Sequence, residues 1–330
     1  MDSRPTWTQW VWRCITMLVV LMVIYVGLAC WGTRDDLSAA LRTYPLIALQ
    51  TVIGLVSLGI VLRTIRWHYY VRRMHWSVSI KESILAFLAG FAFTATPGKA
   101  GEAIKSVLLN ARRGVPISAG VGVLIVERLG DLIAVLLLAV VGFTRVAGTG
   151  QYVMLAAALV IGATLFFGSP RVHGALLKRL AQIPRLHSIA DRVADSLRAC
   201  RQLLRPAPFL SGVGLAVLSW GCEGIAFYCL THGAGLDLSL EQAVSIYGMA
   251  TLAGALSALP GGLGGFEVVM VLLLSHVGVG LSGTLSIVAV FRLCTLWFGI
   301  LLGALAMLLW FLFMKQRVPS EHLDTERDMK

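Results

Sequence analysis

The sequence has few charged residues, since Asp, Glu, Lys and Arg make up only 14% of its 330 residues while hydrophobic residues make up 57%. A soluble domain carries about 25% charged residues and stays near half apolar. The low charge therefore excludes a soluble enzyme or a soluble nucleic-acid-binding protein, although the net charge is +11. The basic residues stand in short segments between long apolar runs, which is typical of a polytopic α-helical membrane protein.

The residue patterns of chemical sites are also missing. The six cysteines lack the C-x-x-C spacing of metal and redox sites, and we expect them to be small buried side chains. The seven histidines show no metal-ligand spacing, and no nucleophile stands in a recognisable arrangement with a base. The glycine-rich run 261–265 is not followed by G-K-[ST], which a nucleotide-binding loop requires. We therefore expect no catalytic residue, no metal, no cofactor and no nucleic-acid partner.

Apolar runs that cross a bilayer need about 20 residues. Six segments meet or approach this length: Cys14–Trp31, Tyr44–Leu62, Ile117–Thr144, Tyr152–Gly168, Phe209–Thr231 and Thr284–Phe313. Two further stretches, Ile84–Thr96 and Tyr247–Leu259, are too short, and a Pro/Gly break and another short helix follow each of them. We predict an all-α integral membrane protein with about six full transmembrane helices plus two re-entrant helical hairpins. It forms a single transmembrane domain over residues 1–313, followed by a disordered cytoplasmic tail, 314–330.

The distribution of charge orients these segments. Residues 63–81 hold five Lys or Arg and no acid, and residues 171–205 hold eight bases against two acids. The connectors Thr33–Pro45 and His232–Gln242 are balanced or acidic. The positive-inside rule therefore assigns 63–81 and 171–205 to the cytoplasm. With re-entrant hairpins, both termini are cytoplasmic, and we expect a multi-pass protein of the bacterial inner membrane.

The basic connector 171–206 has apolar residues at helical spacing, with arginines around the rest of the helix. This pattern predicts an amphipathic helix that binds anionic lipids at the cytoplasmic face. A solvated connector is the simpler alternative. A docking site for a lipid-synthesis enzyme is another.

Two segments with a similar pattern predict an internal repeat. The segment Thr96–Glu102 has the sequence TPGKAGE, and Leu259–Glu267 has the sequence LPGGLGGFE. Prolines, glutamates and later arginines recur about 164 residues apart, in halves of opposite predicted orientation. The repeat halves cover about 84–144 and 247–313, although Pro/Gly breaks also recur by chance. The residues expected to form the structural breaks are Pro97, Gly98, Gly101, Pro260, Gly261 and Gly262.

Charged residues inside the apolar segments are the candidate binding residues. A charge at the bilayer centre costs at least ~2.5–3.5 kcal/mol on insertion scales, so it is expected to be paired or to face a cavity. Helix starts after the breaks favour an anionic headgroup such as phosphate. The candidate substrate-binding residues are Lys99, Glu102, Lys105, Glu127, Arg128, Asp131, Glu267 and Arg292. A purely structural ion-pair network is the alternative, and Glu223 fits an interhelical hydrogen bond equally well.

The two break motifs, together with Glu127-Arg128-Leu129-Gly130-Asp131 and Phe291-Arg292-Leu293, resemble the flippase-like membrane region of the lysylphosphatidylglycerol synthase family. The resemblance extends from the first span to Phe313. It implies a stand-alone member that moves a polar-headgroup lipid between leaflets, without the soluble aminoacyl-transferase part and its activity. Lys99 and Lys105 depart from the arginines more usual in such relatives, which keeps the charge but loses bidentate phosphate geometry.

Two other function classes remain open from the sequence. A membrane-embedded lipid-modifying transferase would need a catalytic base beside a nucleophile or a metal. A non-transporting partner of a lipid-biosynthesis enzyme would need only a docking surface. The lipid translocator, which is not an enzyme and has a membrane lipid as its substrate, is the interpretation that the charged motifs favour.

Overall fold

The computed structural model describes residues 44–94, 101–141, 150–171, 173–174, 187–257 and 259–313. The predicted first span, the break residues Pro97 and Gly98, the candidate binding residue Lys99, and the tail 314–330 lie outside these residues. Within the described ranges the regular structure is all helical, which confirms the all-α class. The helices are α1 (Leu46–Arg73), α2 (Ile80–Phe91), α3 (Ile104–Arg113), α4 (Ile117–Val141), α5 (Gly150–Gly168), α6 (His187–Leu203), α7 (Pro206–Gly233), α8 (Leu240–Leu256), α9 (Gly265–His276), α10 (Leu281–Arg292) and α11 (Phe298–Phe313).

Among the described residues, three helical segments are long and apolar enough to cross a membrane: Leu46–Arg73, Pro206–Gly233 and Leu281–Phe313. The third combines α10 and α11, which a π-helical turn over Leu293–Trp297 joins into one rod. Helix α4, with 25 residues, is also long enough to cross a membrane, but it carries three charged residues near its centre. The count of six spans plus two re-entrant hairpins stays a prediction.

The second predicted span ends later than expected. The apolar run ends at Leu62, but α1 continues without interruption to Arg73. Arg63 and Arg66 were therefore wrongly assigned to a cytoplasmic loop, because they lie on the helix and Arg66 is only 1% exposed. Their burial is possible because carboxylates on other helices pair with them.

Similar local signals start the helix after each long span. Ser79 accepts a hydrogen bond from the backbone of Glu82 and the glutamate bonds back to Ser79, which forms a capping box. Ser239 and Gln242 form the same box at the start of α8. Such boxes satisfy backbone N–H groups that have no partner at a helix start. Helix α2, in the first half of the chain (α1–α4), and helix α8, in the second half (α7–α11), thus begin with the same capping box.

The two halves also pack reciprocally. Helix α1 packs along α7, α2 packs on α11, and α8 packs on α4. Glycines allow the last two contacts, because a Cβ on Gly303 would overlap the backbone of Ala92. A Cβ on Gly248 would come within 2.6 Å of the Ala139 nitrogen. Helix α2 therefore packs against the second half of the chain, and helix α8 packs against the first half.

The predicted helix in the basic connector exists as α6, but its apolar side is already covered. Cys200 and Leu203 are fully buried, and the Cys200 thiol lies 3.3 Å from the Gly122 carbonyl of α4. The Ser196 hydroxyl donates to the Ser118 carbonyl at 2.5 Å. Helix α6 therefore packs on α4 with its apolar face, and arginines such as Arg201 remain exposed.

Candidate functional site

A cavity of about 330 Å³ lies between the two halves. Helices α1, α2, α4 and α7 to α11 line it, together with the π-helical turn, the segment Pro260–Gly262 and the start of α3. Five basic side chains and three carboxylates are on its surface, beside aromatic rings. The charged lining residues are Arg63, Arg66, Glu102, Lys105, Arg128, Asp131, Glu223 and Arg292.

Asp131 is the centre of the charged cluster in the first half. Its Oδ1 lies 2.8 Å from Arg66 Nη1 and accepts a hydrogen bond of 2.9 Å from the Trp220 indole. Its Oδ2 lies 2.9 Å from Arg128 Nη2, one helical turn away. The same Arg128 nitrogen is 3.1 Å from Glu102 Oε2. The side chain of Arg128 is nevertheless 32% exposed, which makes it the most open cation of the cluster.

A second ion pair of the first half is deeply buried. Lys105 pairs with Glu127, and neither side chain is more than 2% exposed. The Lys105 ammonium lies 4.3 Å from the centroid of the Trp67 ring and 5.1 Å from that of Phe87. An ammonium held between a carboxylate and two aromatic faces already has favourable partners and has little capacity for a ligand. The contacts therefore favour a structural role for Lys105, although it was predicted as a substrate contact.

The equivalent cluster of the second half is more closed. Arg292 Nε donates to Glu267 Oε1 at 2.5 Å, and Nη2 donates to the Gly262 carbonyl at 3.2 Å. Its guanidinium carbon lies 4.0 Å from the centroid of Phe266. The π-helical turn follows Arg292 directly, and such turns are frequent at functional sites. Gly261 has a φ of 63°, a conformation that favours glycine and ends the helical path at the break.

A third cluster joins α1 to α7 at the middle of the cavity. Arg63 pairs with Glu223 and donates from Nε to the Ser219 hydroxyl at 2.8 Å. That hydroxyl donates to the Gly59 carbonyl at 2.9 Å, and the Tyr247 hydroxyl donates to Glu223 Oε2 at 2.6 Å. Arg63 with Glu223 and Gly59 with Ser219 are each separated by 160 residues. Helices α1 and α7 also start 160 residues apart, at Leu46 and Pro206.

The described cations and carboxylates of this region balance. Each of the five cations has at least one carboxylate partner, and the partners are also five. The pairs are Arg63–Glu223, Arg66–Asp131, Lys105–Glu127, Arg128–Glu102 and Arg292–Glu267. Pairing lowers the cost of burying charge, and removing one partner of such a pair is expensive.

All predicted site residues that the structure describes lie in or beside this cavity. Lys99, Pro97 and Gly98 lie outside the described residues. The sequence did not single out Arg63, Arg66, Trp220 or Tyr247. Arg63 and Arg66 stand three residues apart, ahead of the apolar Trp67. That spacing continues the helix face and was the available signal for both arginines.

Among the residues that the structure describes, no group of three His, Cys, Asp or Glu side chains could hold a metal ion. The four cysteines within the same ranges are free thiols. The described part of the cavity thus offers charged and aromatic groups for binding.

Comparison with known proteins identifies the family. The model of the lysylphosphatidylglycerol synthase TM region matches residues 10–303. The chain belongs to this family. The match confirms the resemblance found in the sequence.

The relatives are membrane proteins. Two UPF0104 membrane proteins of Methanothermobacter thermautotrophicus are 23% and 24% identical, covering 88% and 84% of this chain and 89% and 91% of their own. The glycosyltransferase AglD of Haloferax volcanii is 28% identical over 163 residues, which is 46% of this chain and 25% of AglD. With its apolar helices and these relatives, the chain is a membrane protein of the lysylphosphatidylglycerol synthase TM family.

Proposed function

We propose that the protein is a lipid translocator, without enzymatic activity, that moves a polar-headgroup lipid between the leaflets of the bacterial inner membrane. The observation that carries the proposal is the cavity, which has five basic side chains inside an apolar helical bundle. Charged groups at membrane depth mark substrate or ion pathways by default. A hydrophobic tail can stay in the lipid while its headgroup occupies such a cavity.

The size of the cavity supports a headgroup as ligand. A volume of about 330 Å³ is near the lower end of small-molecule sites and is too small for two acyl chains. Arginines and carboxylates suit phosphate and amine groups, and the rings of Trp220 and Phe266 suit the glycerol and methylene parts.

The charge distribution supports two halves of opposite orientation. Helix α1 ends with Arg72 and Arg73, which the positive-inside rule assigns to the cytoplasm. Helix α7 follows Arg205, and its far end leads to Asp237. The two packed helices would then run antiparallel across the membrane, with both termini of the chain cytoplasmic. An inverted repeat around a central site is the architecture of alternating-access transporters.

The geometry of the first hairpin supports a re-entrant element. Glu82, in the first turn of α2, forms ion pairs with Arg112 and Arg113, in the last turn of α3. The chain therefore enters and leaves this hairpin at one place. With 12 and 10 residues, both helices are too short to cross the hydrocarbon core.

A second candidate function is a non-transporting partner of a lipid-biosynthesis enzyme, for example a glycosyltransferase. The observation that favours it is the match to AglD, which covers only a quarter of that protein. Such a shared region could serve as a membrane scaffold for an enzyme. A scaffold has no need of a charged cavity, so the translocator remains the preferred function.

The test uses purified full-length protein in liposomes containing a phosphatidylglycerol analogue with a fluorescent acyl chain. Dithionite destroys the fluorescence of the outer leaflet, so translocation appears as additional loss. We expect wild-type protein to move the analogue and both Arg128→Ala and Arg292→Ala to slow it at least about tenfold, a change of ~1.4 kcal/mol in the barrier.

Arg201→Ala is the matched control, because Arg201 is an exposed arginine on α6, away from the cavity. It should translocate like wild type. Wild-type protein that moves no lipid would contradict the translocator and favour the scaffold. A change in lipid mass, measured on the same liposomes, would instead indicate a transferase.

A further inference from the structure

We infer that Arg128 binds the phosphate of the lipid headgroup, and that the Glu102 carboxylate occupies this phosphate site until the headgroup displaces it. The inference rests on the proposed function and deepens it, since it names the anion that is bound and the residue that exchanges with it. It starts from a difference between two pairs at equivalent places in the two halves: Arg128 with Glu102, and Arg292 with Glu267.

The pair in the second half is fully engaged. Arg292 has a hydrogen bond to Glu267, another to the Gly262 carbonyl, and the ring of Phe266 against its face. Glu267 also accepts a hydrogen bond of 2.6 Å from the Gly264 backbone. With a side chain only 8% exposed, Arg292 is poorly placed to accept a new anion.

The pair in the first half is loose. Glu102 approaches Arg128 through one nitrogen at 3.1 Å, and the Arg128 side chain is 32% exposed. Gly101 precedes Glu102 where Phe266 precedes Glu267, so the first half has no aromatic ring at that position. The Nε of Arg128 has no hydrogen-bond partner among the described residues. This Nε is itself shielded from solvent, so a phosphate that displaces Glu102 would use it together with Nη2 in two parallel hydrogen bonds.

A second unused donor points to the same place. Arg66 is 1% exposed and lines the cavity, yet its Nε also has no hydrogen-bond partner among the described residues. Both Arg66 and Arg128 share the single carboxylate of Asp131. The two guanidinium groups are therefore close to one another, with donors to spare beside the cavity.

The charges explain why Glu102 is the exchanging group. Arg66, Arg128, Asp131 and Glu102 together are neutral, and if Glu102 swings away the remaining three carry one positive charge. A phosphodiester carries one negative charge, so its entry restores neutrality without leaving an unpaired buried arginine. The return of Glu102 would displace the phosphate in the same way, which allows release. Glu102 thus acts as a tethered competitor of the substrate.

The test measures binding by wild-type protein and by Glu102→Gln with a short-chain probe, dioctanoyl phosphatidylglycerol. Dioctanoylglycerol, which has the same chains and no phosphate, is the control ligand. We expect Glu102→Gln to bind the phosphate probe about tenfold more tightly than wild type, and the control ligand equally. The matched variant Glu267→Gln should not gain affinity, and Arg128→Gln should lose it.

Glu102→Asp gives a second measurement, since its shorter side chain keeps the charge but reaches Arg128 less well. We expect an intermediate gain in affinity. Unchanged or weaker probe binding by both Glu102 variants, with wild-type melting temperatures, would overturn the inference even if translocation occurs. If inorganic phosphate binds wild type as tightly as the probe does, the lipid is not the source of the phosphate. Absence of translocation together with the expected affinities would reject the proposed function and keep the phosphate site.

Discussion

Single residues in this protein are defined by their partners. Arg63, Arg66 and Lys105 would each be costly in an apolar bundle, and each is held by a carboxylate from another helix. Glu223 is a mid-span acid whose role the sequence left open between a hydrogen bond and a site. In the structure it makes an interhelical ion pair with Arg63 and accepts a hydrogen bond from Tyr247, and it also lines the cavity.

Arg63 and Glu223 would occupy equivalent positions in an inverted repeat, so exchanging their charges tests the two-fold arrangement. Arg63→Glu or Glu223→Arg alone should lower the free energy of unfolding by about 3 kcal/mol, because like charges then meet in a buried place. The double exchange recreates the same pair in the opposite sense, and we expect it to recover more than half of the loss. Recovery should be incomplete because the guanidinium loses the Trp220 ring, now 4.2 Å from Arg63. Thermal unfolding in detergent measures all three.

Exchange of Lys105 and Glu127 is the matched control. These residues are also paired and buried, but they do not occupy equivalent positions of the two halves. A glutamate at position 105 would face the rings of Trp67 and Phe87 where the ammonium now lies, so this double exchange should recover less than half of the loss. Equal recovery in both double variants would contradict the two-fold arrangement at Arg63.

At the scale of elements, the hairpin of α2 and α3 depends on one carboxylate. Glu82 accepts hydrogen bonds from Arg112 at 3.1 Å, from Arg113 at 2.9 Å and from the Ser79 backbone at 3.0 Å. Burial alone would raise the pKa of Glu82, but the hydrogen bonds from Arg113, Ser79 and Arg112 lower it to about 2. The ionised form therefore holds the two helix ends together.

Glu82→Gln should lower the free energy of unfolding by roughly 3 kcal/mol at pH 7, from a shift of this size. Because the pKa is lowered in the folded state, the stabilisation is complete above 4.5, the ordinary value, and is lost as the pH falls towards 2. The difference in melting temperature between wild type and variant should thus shrink between pH 5 and pH 2.5. Glu241→Gln, at an exposed acid in the first turn of α8, should have little effect at either pH. A difference that is constant with pH would mean that Glu82 acts by packing alone.

At the scale of the whole molecule, the two halves are joined by more than the loop between them. The first half supplies α4 for α8 to pack on, and the second half supplies α11 for α2. The cavity lies where these contacts surround the α1–α7 pair, so its walls belong to both halves. A relative movement of the halves would change access to the cavity, as alternating access requires.

The orientation of the halves can be checked with single cysteines in a background without native cysteine. Cysteines at Ala111 and Arg201 should react with an impermeant reagent from the cytoplasm, and one at Asp237 from the outside. All three positions are exposed. Labelling of all three from the same side would contradict the opposite orientation of the halves and with it the inverted repeat.

The sequence by itself determined the class of the protein and its family, and it singled out many of the charged residues around the cavity. Low charge and long apolar runs indicate a helical membrane protein. Runs of about 20 apolar residues match the thickness of the hydrocarbon core, and a helix satisfies its own backbone hydrogen bonds there. The recurrence of Pro, Glu and Arg identified the two break regions, because proline interrupts a helix at its own position in the sequence. Five of the predicted binding residues line the cavity, namely Glu102, Lys105, Arg128, Asp131 and Arg292, and Glu127 and Glu267 pair with two of them.

Only the tertiary structure decided which charges face each other. Arg63 and Arg66 follow the apolar run of the second span, and the sequence alone permits either a loop or a longer helix there. The carboxylates of Glu223 and Asp131 lower the cost of burying these two arginines on the longer helix. Both carboxylates come from helices far along the chain. The difference between an open Arg128 and a closed Arg292 likewise arises from packing. Electrostatic partners at such separations depend on how the helices cross, which no local pattern of residues contains.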